Sequence, residues 1–379
     1  MTSRNYIEWL RGLDKRWQRS RGGERRQILV DGRTAMNYAT VAPIVEQLQK
    51  DSRIAVFFTA SESPHLIGQI YADARPPHQL VKPKTAALMH FDAYLTADFL
   101  WARLPRGTRR VQTFHGVAGK YRTVYDSPAD SMRGWDRLFF INKRRLQNFI
   151  DTGAVDADSP AIRLIGMPRL DCLVDGSLDR NRILTSLGID PSRKTVLYAP
   201  TWSRYSSVAT MGEDIVKRLG AAGYAVIVKL HDRSRQADDY HSGGVDWGAR
   251  LEPLLKATQG VLATGSDSSS YLMAADVLIT DHSSVGFEYL LLDRPLIRIH
   301  MPELLKNTDI EPVYVQLMAE AATSVNDIDE LCAGVDASFA DPQAKSGSRT
   351  QVAGEMFYKP GTATARAVSE MYDVIELTR

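Results

Sequence analysis

Short apolar runs rich in β-branched and aromatic residues recur along the chain, and segments of helical character separate them. Ile28-Leu29-Val30, Ile54-Ala55-Val56-Phe57-Phe58, Val111-Gln112-Thr113-Phe114, Leu138-Phe139-Phe140-Ile141 and Ile162-Arg163-Leu164-Ile165 read as strands, with Ala86-Ala87-Leu88-Met89 as one more. Residues 41–48 read as a helix between the first two. Runs this apolar suit strands buried on both faces, and strands alternating with helices argue for parallel sheets with crossover connections. The fold class expected is therefore α/β, doubly wound. A chain of 379 residues is long for one domain and comfortable for two, each with its own core. Such sheets bind ligands beyond the C-terminal ends of their strands, so the polar residues that follow the apolar runs are the candidates for function.

The most informative of these turns lies in residues 274–295, AADVLITDHSSVGFEYLLLDRP. Val277-Leu278-Ile279 is a strand, Thr280-Asp281-His282-Ser283-Ser284 a polar turn, and residues 285–292 a helix stopped by Asp293-Arg294-Pro295. Leu296-Ile297-Arg298-Ile299 resumes as the next strand. Hydroxyls of Thr280, Ser283 and Ser284 at a helix start suit a phosphate. Glu288, one turn deeper on the face of Ser284, suits ribose hydroxyls. The same pattern also fits a helix whose serines only cap it and whose glutamate is solvated.

Three further strand ends carry chemistry. His115-Gly116 follows Val111-Gln112-Thr113-Phe114, placing an imidazole where a proton can be exchanged and a glycine where a ligand can approach. Lys120 and Arg122, in the same loop, suit an anion. Residues 116–120 are not a P-loop, because the glycine spacing is short and Tyr121 stands where Ser or Thr is required. Thr195-Val196-Leu197-Tyr198 delivers Thr201 and Trp202, whose hydroxyl and indole N–H can bond a polar substrate. The run from Ala225 to His231 sets Lys229 and His231 on one side of a strand, a cation beside an imidazole. Each of these fits a structural role as well: a His–Gly turn, a packed tryptophan, a surface strand end.

Taken in order, these segments resemble the CDP-glycerol glycerophosphotransferase family of teichoic-acid synthesis. QTFHG is similar to the family's QTWHGTPLKK-like segment, GMPRLD to GxPRxD, YAPTW to its own string, and KLH to KxHP. LITDHSSVGFEYLLLDRP is similar to the family's LITDYSSxxFDYLLxDRP-like segment. The resemblance runs over roughly residues 111–366. Departures are His282 for Tyr, Glu288 for Asp, Val117-Ala118-Gly119 for Thr-Pro-Leu, Ser203 before Arg204, and Asp232 for Pro.

The resemblance implies a GT-B type fold, two Rossmann-like doubly wound domains facing a cleft. Residues 27–175 would bind the acceptor and residues 176–358 the CDP donor, with 359–379 as a closing helix crossing back to the first domain. It implies transfer of a glycerol-phosphate, or related polyol-phosphate, from a CDP-polyol such as CDP-glycerol to an acceptor hydroxyl, with release of CMP. His115 would be the general base and His231 a second catalytic group. Gly116, Lys120, Arg122, Thr201, Trp202, Lys229, Thr280, Asp281, Ser283, Ser284 and Glu288 would bind substrate. No cofactor and no metal are expected. Two other classes stay open: a GT-B glycosyltransferase or epimerase using a nucleotide sugar, and a scaffold that binds nucleotide without turning it over.

Composition narrows the setting. Lys and Arg number 47 against 45 Asp and Glu, so no overall basicity calls for nucleic acid. The two cysteines, Cys172 and Cys332, form no framework, which fits a reducing, cytoplasmic compartment. Residues 1–26 concentrate eight cations around Tyr6, Trp9, Leu10, Leu13 and Trp17. That pattern fits either a basic amphipathic helix on the inner face of a membrane, near a lipid-linked saccharide or polyol-phosphate acceptor, or a first helix packed on its own domain.

Overall fold

The computed structural model describes residues 25–76, 79–116, 129–265 and 267–378. The N-terminal segment thus lies outside the described residues except at its end, where Arg26 already opens a strand. The chain divides into two compact units. The first takes residues 25–115, 129–171 and 358–378, and the second takes Gly116 and residues 172–357.

The first unit is built on a seven-stranded sheet of β1 (Arg26–Asp31), β2 (Ile54–Thr59), β3 (Gln79–Leu80), β4 (Ala93–Ala97), β5 (Arg109–Thr113), β6 (Arg137–Phe140) and β7 (Ile162–Leu164). Their order is β3-β2-β1-β4-β5-β6-β7, and every neighbouring pair is parallel. The second unit repeats the plan with β8 (Thr195–Tyr198), β9 (Ala225–Val228), β10 (Val261–Leu262), β11 (Val277–Thr280), β12 (Leu296–Ile299) and β13 (Thr323–Val325). Their order is β10-β9-β8-β11-β12-β13, again all parallel. In both sheets the order reverses once, between β1 and β4 and between β8 and β11. Connections leave those paired strands in opposite directions, which opens a crevice at their C-terminal ends.

Most of the apolar runs became strands whose residues are buried, β7 being half-buried along its length. Ile28, Val30, Phe58, Leu95 and Val111 form one core with Val41, Ile44 and Val45 of the helix Ala35–Leu48. That helix starts earlier than its apolar residues indicate. Thr34 caps it in a reciprocal box with Asn37, which moves the first turn upstream. Residues 86–89 are not a strand. Pro83 opens a short helix, Pro83–Ala86, because its fixed φ and missing N–H suit a first helical turn. The strand that follows is β4, Ala-Tyr-Leu-Thr-Ala, fully buried yet only weakly apolar in sequence.

The final helix, Ala363–Val374, belongs to the first unit and contributes Ala363, Ala367, Met371 and Val374 to its core. The GMPRLD segment holds it there. Asp171 accepts from the backbone N–H of Ala363 at 3.1 Å and of Thr364 at 2.7 Å, serving the otherwise unpaired donors of the first turn. Gly166 has φ +92°, and a Cβ there would lie 2.5 Å from the Tyr358 carbonyl oxygen. Only glycine lets these two backbone segments approach so closely.

Candidate active site

The first unit presents its site groups beside the β1/β4 reversal. β5 ends at Thr113; Phe114 is buried against Phe99, Phe140 and Phe149, and His115, the next residue, has 53% of its side chain exposed. The ring Nδ1 of His115 meets a carboxylate oxygen of Asp98, and its backbone N–H donates to the other oxygen at 3.3 Å. Asp98 and Phe99, directly after β4, have φ of 62° and 63°. For residues with a Cβ this left-handed backbone costs about 1–2 kcal/mol each. The turn is held by the Asp98 N–H donating to the Thr113 carbonyl and the Phe99 N–H donating to Gln112 Oε1, 3.2 and 3.0 Å.

Asn37 completes the group. Its Nδ2 donates to Asp98 Oδ2 at 2.7 Å, while its Oδ1 accepts from the backbone N–H of Arg33 and of Thr34, each at 3.1 Å. Burial pushes the Asp98 carboxyl up, but the hydrogen bonds and charge of His115, with the Arg145 guanidinium, outweigh it and hold it below the usual carboxylate range. Gly116 follows half-buried. Lys120 and Arg122 lie outside the described residues.

In the second unit the groups stand at the ends of three neighbouring strands. β9 stops at Val228, so Lys229 and His231 sit in the turn beyond it rather than on the strand. Lys229 donates to the Gly265 carbonyl at 2.9 Å, and burial lowers its pKa from the ordinary lysine value. His231 caps the following 3₁₀ turn Asp232–Arg235: its Nδ1 accepts from the Arg233 N–H at 3.1 Å. Trp202, half-buried after β8, lies beside that ring (centroids 6.0 Å apart) and that of His241 (5.3 Å), with the Arg233 guanidinium 4.4 Å from its centroid. Asp238 in turn holds His241, 2.8 Å from Nδ1.

The turn after β11 splits by direction. Thr280 is buried and donates its hydroxyl to the Ala199 carbonyl at 2.7 Å. Asp281 is buried and accepts from the backbone N–H groups of Thr201, Ser207 and His282 and from the Ser207 hydroxyl, at 2.6 to 3.1 Å. These two side chains, expected to touch ligand, instead tie the loop after β8 to the loop after β11. Thr201 is likewise buried. Ser283 and Ser284 are half-buried, and their hydroxyls make no hydrogen bond among the described residues. Ser284 starts the helix without capping it by its side chain. The helix is Val285–Tyr289, tightening into a 3₁₀ turn over Leu290–Leu292 and ended by Asp293 at φ 48°. Glu288 is buried on it, reached by the Ser268 hydroxyl at 3.3 Å. Gly286 lets it pack closely, since a Cβ there would meet the Met318 methyl at 2.7 Å.

Trp202, Lys229, His231, Ser283 and Ser284 thus all follow the C-terminal ends of three neighbouring strands, β8, β9 and β11, with Trp202 and His231 side by side. The structure adds Arg233 and His241, and in the first unit Asn37 and Asp98, none of which were singled out from sequence. The bracketing of Ala-Tyr-Leu-Thr-Ala by Asp92 and Asp98 is the signal that marks β4 and its terminal carboxylate.

Two all-parallel α/β sheets, each reversing its strand order once, make a fold of the GT-B type. The family model described as CDP-Glycerol:Poly(glycerophosphate) glycerophosphotransferase matches residues 35–372, and the chain belongs to that family. It is 29% identical over 260 residues to the teichoic acid poly(glycerol phosphate) polymerase of Staphylococcus epidermidis, covering 58% of this chain and 33% of that protein. The polymerase of the same description from Bacillus spizizenii is 23% identical over 231 residues, 54% of each. The chain therefore spans a third to about half of the length of these relatives. Among solved structures, the wall teichoic acid polymerase TagF superposes with a TM-score of 0.70 over 98% of this chain and 94% of that one, at 18% identity. A UDP-N-acetylglucosamine 2-epimerase gives 0.56 over 93% and 96%, at 15% identity. At these identities the likenesses speak for the fold alone.

Proposed function

We propose that the chain transfers a glycerol-phosphate unit, or a related polyol-phosphate, from a CDP-activated donor to an acceptor hydroxyl. The carrying observation is that an ammonium (Lys229), an imidazole (His231) and two unengaged hydroxyls (Ser283, Ser284) follow the C-terminal ends of strands of one parallel sheet, β9 and β11, in a chain of the glycerophosphotransferase family. That set suits a diphosphate. The partly buried Lys229 charge acts through a medium less screening than water, and the hydroxyls donate to phosphate oxygens. TagF has been solved after soaking with CDPG, which supports a donor of this kind.

The acceptor oxygen attacks the β-phosphorus, giving its proton to His115. The bond from that phosphorus to the bridging oxygen breaks, and CMP leaves with the electron pair. Positioning and charge stabilisation carry most of such a reaction. Incubation with CDP-glycerol and a polyol-phosphate acceptor should release CMP. Release of a nucleoside diphosphate from a nucleotide sugar, with CDP-glycerol inert, would overturn the assignment in favour of the glycosyltransferase reading.

We also place the acceptor at a membrane surface. Residues 1–26 carry eight cations among Tyr6, Trp9, Leu10, Leu13 and Trp17, a composition that suits anionic lipid at about 1 kcal/mol per cation. Co-sedimentation with phosphatidylglycerol vesicles should weaken with salt. Indifference to such vesicles would favour a soluble acceptor. No helix among the described residues is long and apolar enough to cross a membrane.

A further inference from the structure

We propose that Asp98 and Asn37 are positioning residues that fix His115 as its Nδ1–H tautomer and so leave the Nε2 lone pair to take the acceptor's proton. The argument is one of donors and acceptors. An ionised carboxylate only accepts, so the His115 nitrogen in contact with Asp98 must carry the hydrogen. The neutral ring has one such hydrogen, so Nε2, on a side chain more than half exposed, keeps its lone pair.

Asp98 is itself oriented. Two backbone N–H groups, of Arg33 and Thr34, claim Asn37 Oδ1, which turns Nδ2 toward Asp98. The chain of bonds runs from the N-terminus of the helix Ala35–Leu48 through Asn37 and Asp98 to the ring, spanning the ends of β1, β4 and β5. The left-handed backbone at Asp98 and Phe99 is a second, independent mark. Strain of this sort persists where surrounding bonds over-determine it, and it collects at functional sites. When Nε2 takes the proton, the imidazolium that forms stands against the Asp98 carboxylate, which stays ionised and stabilises it. The ring returns the proton to solvent after CMP has left.

The identity of the hydroxyl rests on the glycerophosphate reading above; the tautomer does not, and the two are tested separately. In the full chain labelled with ¹⁵N-histidine, the His115 ring, assigned by its disappearance in His115→Gln, should show a protonated Nδ1 and an unprotonated Nε2. Asp98→Asn, whose side chain tolerates a left-handed backbone, should lose that preference. It should also lower kcat for CMP release from CDP-glycerol by about 10²–10⁴ while CDP affinity stays unchanged. A wild-type His115 protonated at Nε2 overturns the proposal whatever the activity, and needs no variant to fold. Full turnover in a folded Asp98→Asn overturns it too. A wild-type protein inert toward CDP-glycerol but showing the Nδ1–H ring supports the positioning and overturns only the assigned reaction.

Discussion

The two histidines at the strand ends are held from opposite chemical sides. His115 gives its Nδ1 hydrogen to a carboxylate brought from another strand. His231 receives a hydrogen at the same ring position from a backbone N–H two residues on. A backbone N–H only donates, so the neutral ring of His231 carries its hydrogen on Nε2. One imidazole therefore offers a lone pair and the other a donor. The first suits removal of a proton from an attacking hydroxyl, the second a hydrogen bond to the phosphate oxygen or the leaving group. The local partner, rather than the residue type, divides the work.

Glutamine is the substitution that separates the two roles most widely. His115→Gln should be as inactive as His115→Ala, about 10²–10⁴ below wild type in CMP release, because an amide is no base. His231→Gln should retain well above the activity of His231→Ala, since the amide N–H stands near the place of Nε2–H. Equal activity of the two His231 variants, with His115→Gln active, would reverse the assignment.

A smaller effect sharpens the contrast between a group that reacts and groups that hold. Ser283→Ala and Ser284→Ala should each weaken CDP binding about tenfold, the scale of a hydrogen bond to a charged group, and leave kcat nearly unchanged. Titration calorimetry with CDP reads the first and steady-state turnover the second. Unchanged affinity in both would make this turn a structural corner only.

The smallest effect is on stability. The Asp98 carboxyl is held below the usual range in the folded protein, so its contribution is full above the unfolded value of about 3.9 and is lost as pH falls through the folded one. The gap in Tm between wild type and Asp98→Asn should hold as the solution is acidified to about pH 4 and shrink only below that.

The sequence carried the strand ends of the second unit well, because a buried strand is a continuous apolar run and its polar turn stands beside it. Thr201, Trp202, Lys229, His231 and the serine pair could all be read this way. Which way each side chain faces could not. Asp281 and Thr280 look like Ser283 and Ser284 in a string, yet the former are spent on loop-to-loop bonds that pair residues some 80 positions apart. Asp98 is marked in the sequence only by the aspartates that bracket β4, and its role is hidden for a related reason. It follows β4, whose alanines and threonine barely register as apolar, and its partner His115 is 17 residues on. The misreading of residues 86–89 had a visible warning in Pro83, which favours a first helical turn and cannot donate to a sheet.

The clasp of Asp171 on the first turn of the helix Ala363–Val374 has a consequence for how the chain is made. Translation delivers residues 172–357, nearly the whole second unit, before the helix that completes the first. Until that helix leaves the ribosome, the face that receives Ala367 and Met371 has no cover, and the older half of the nascent chain waits with an open core. A fragment ending at Asp171 reproduces that waiting state permanently. Of the two units, the one whose strands come first in the chain is completed second.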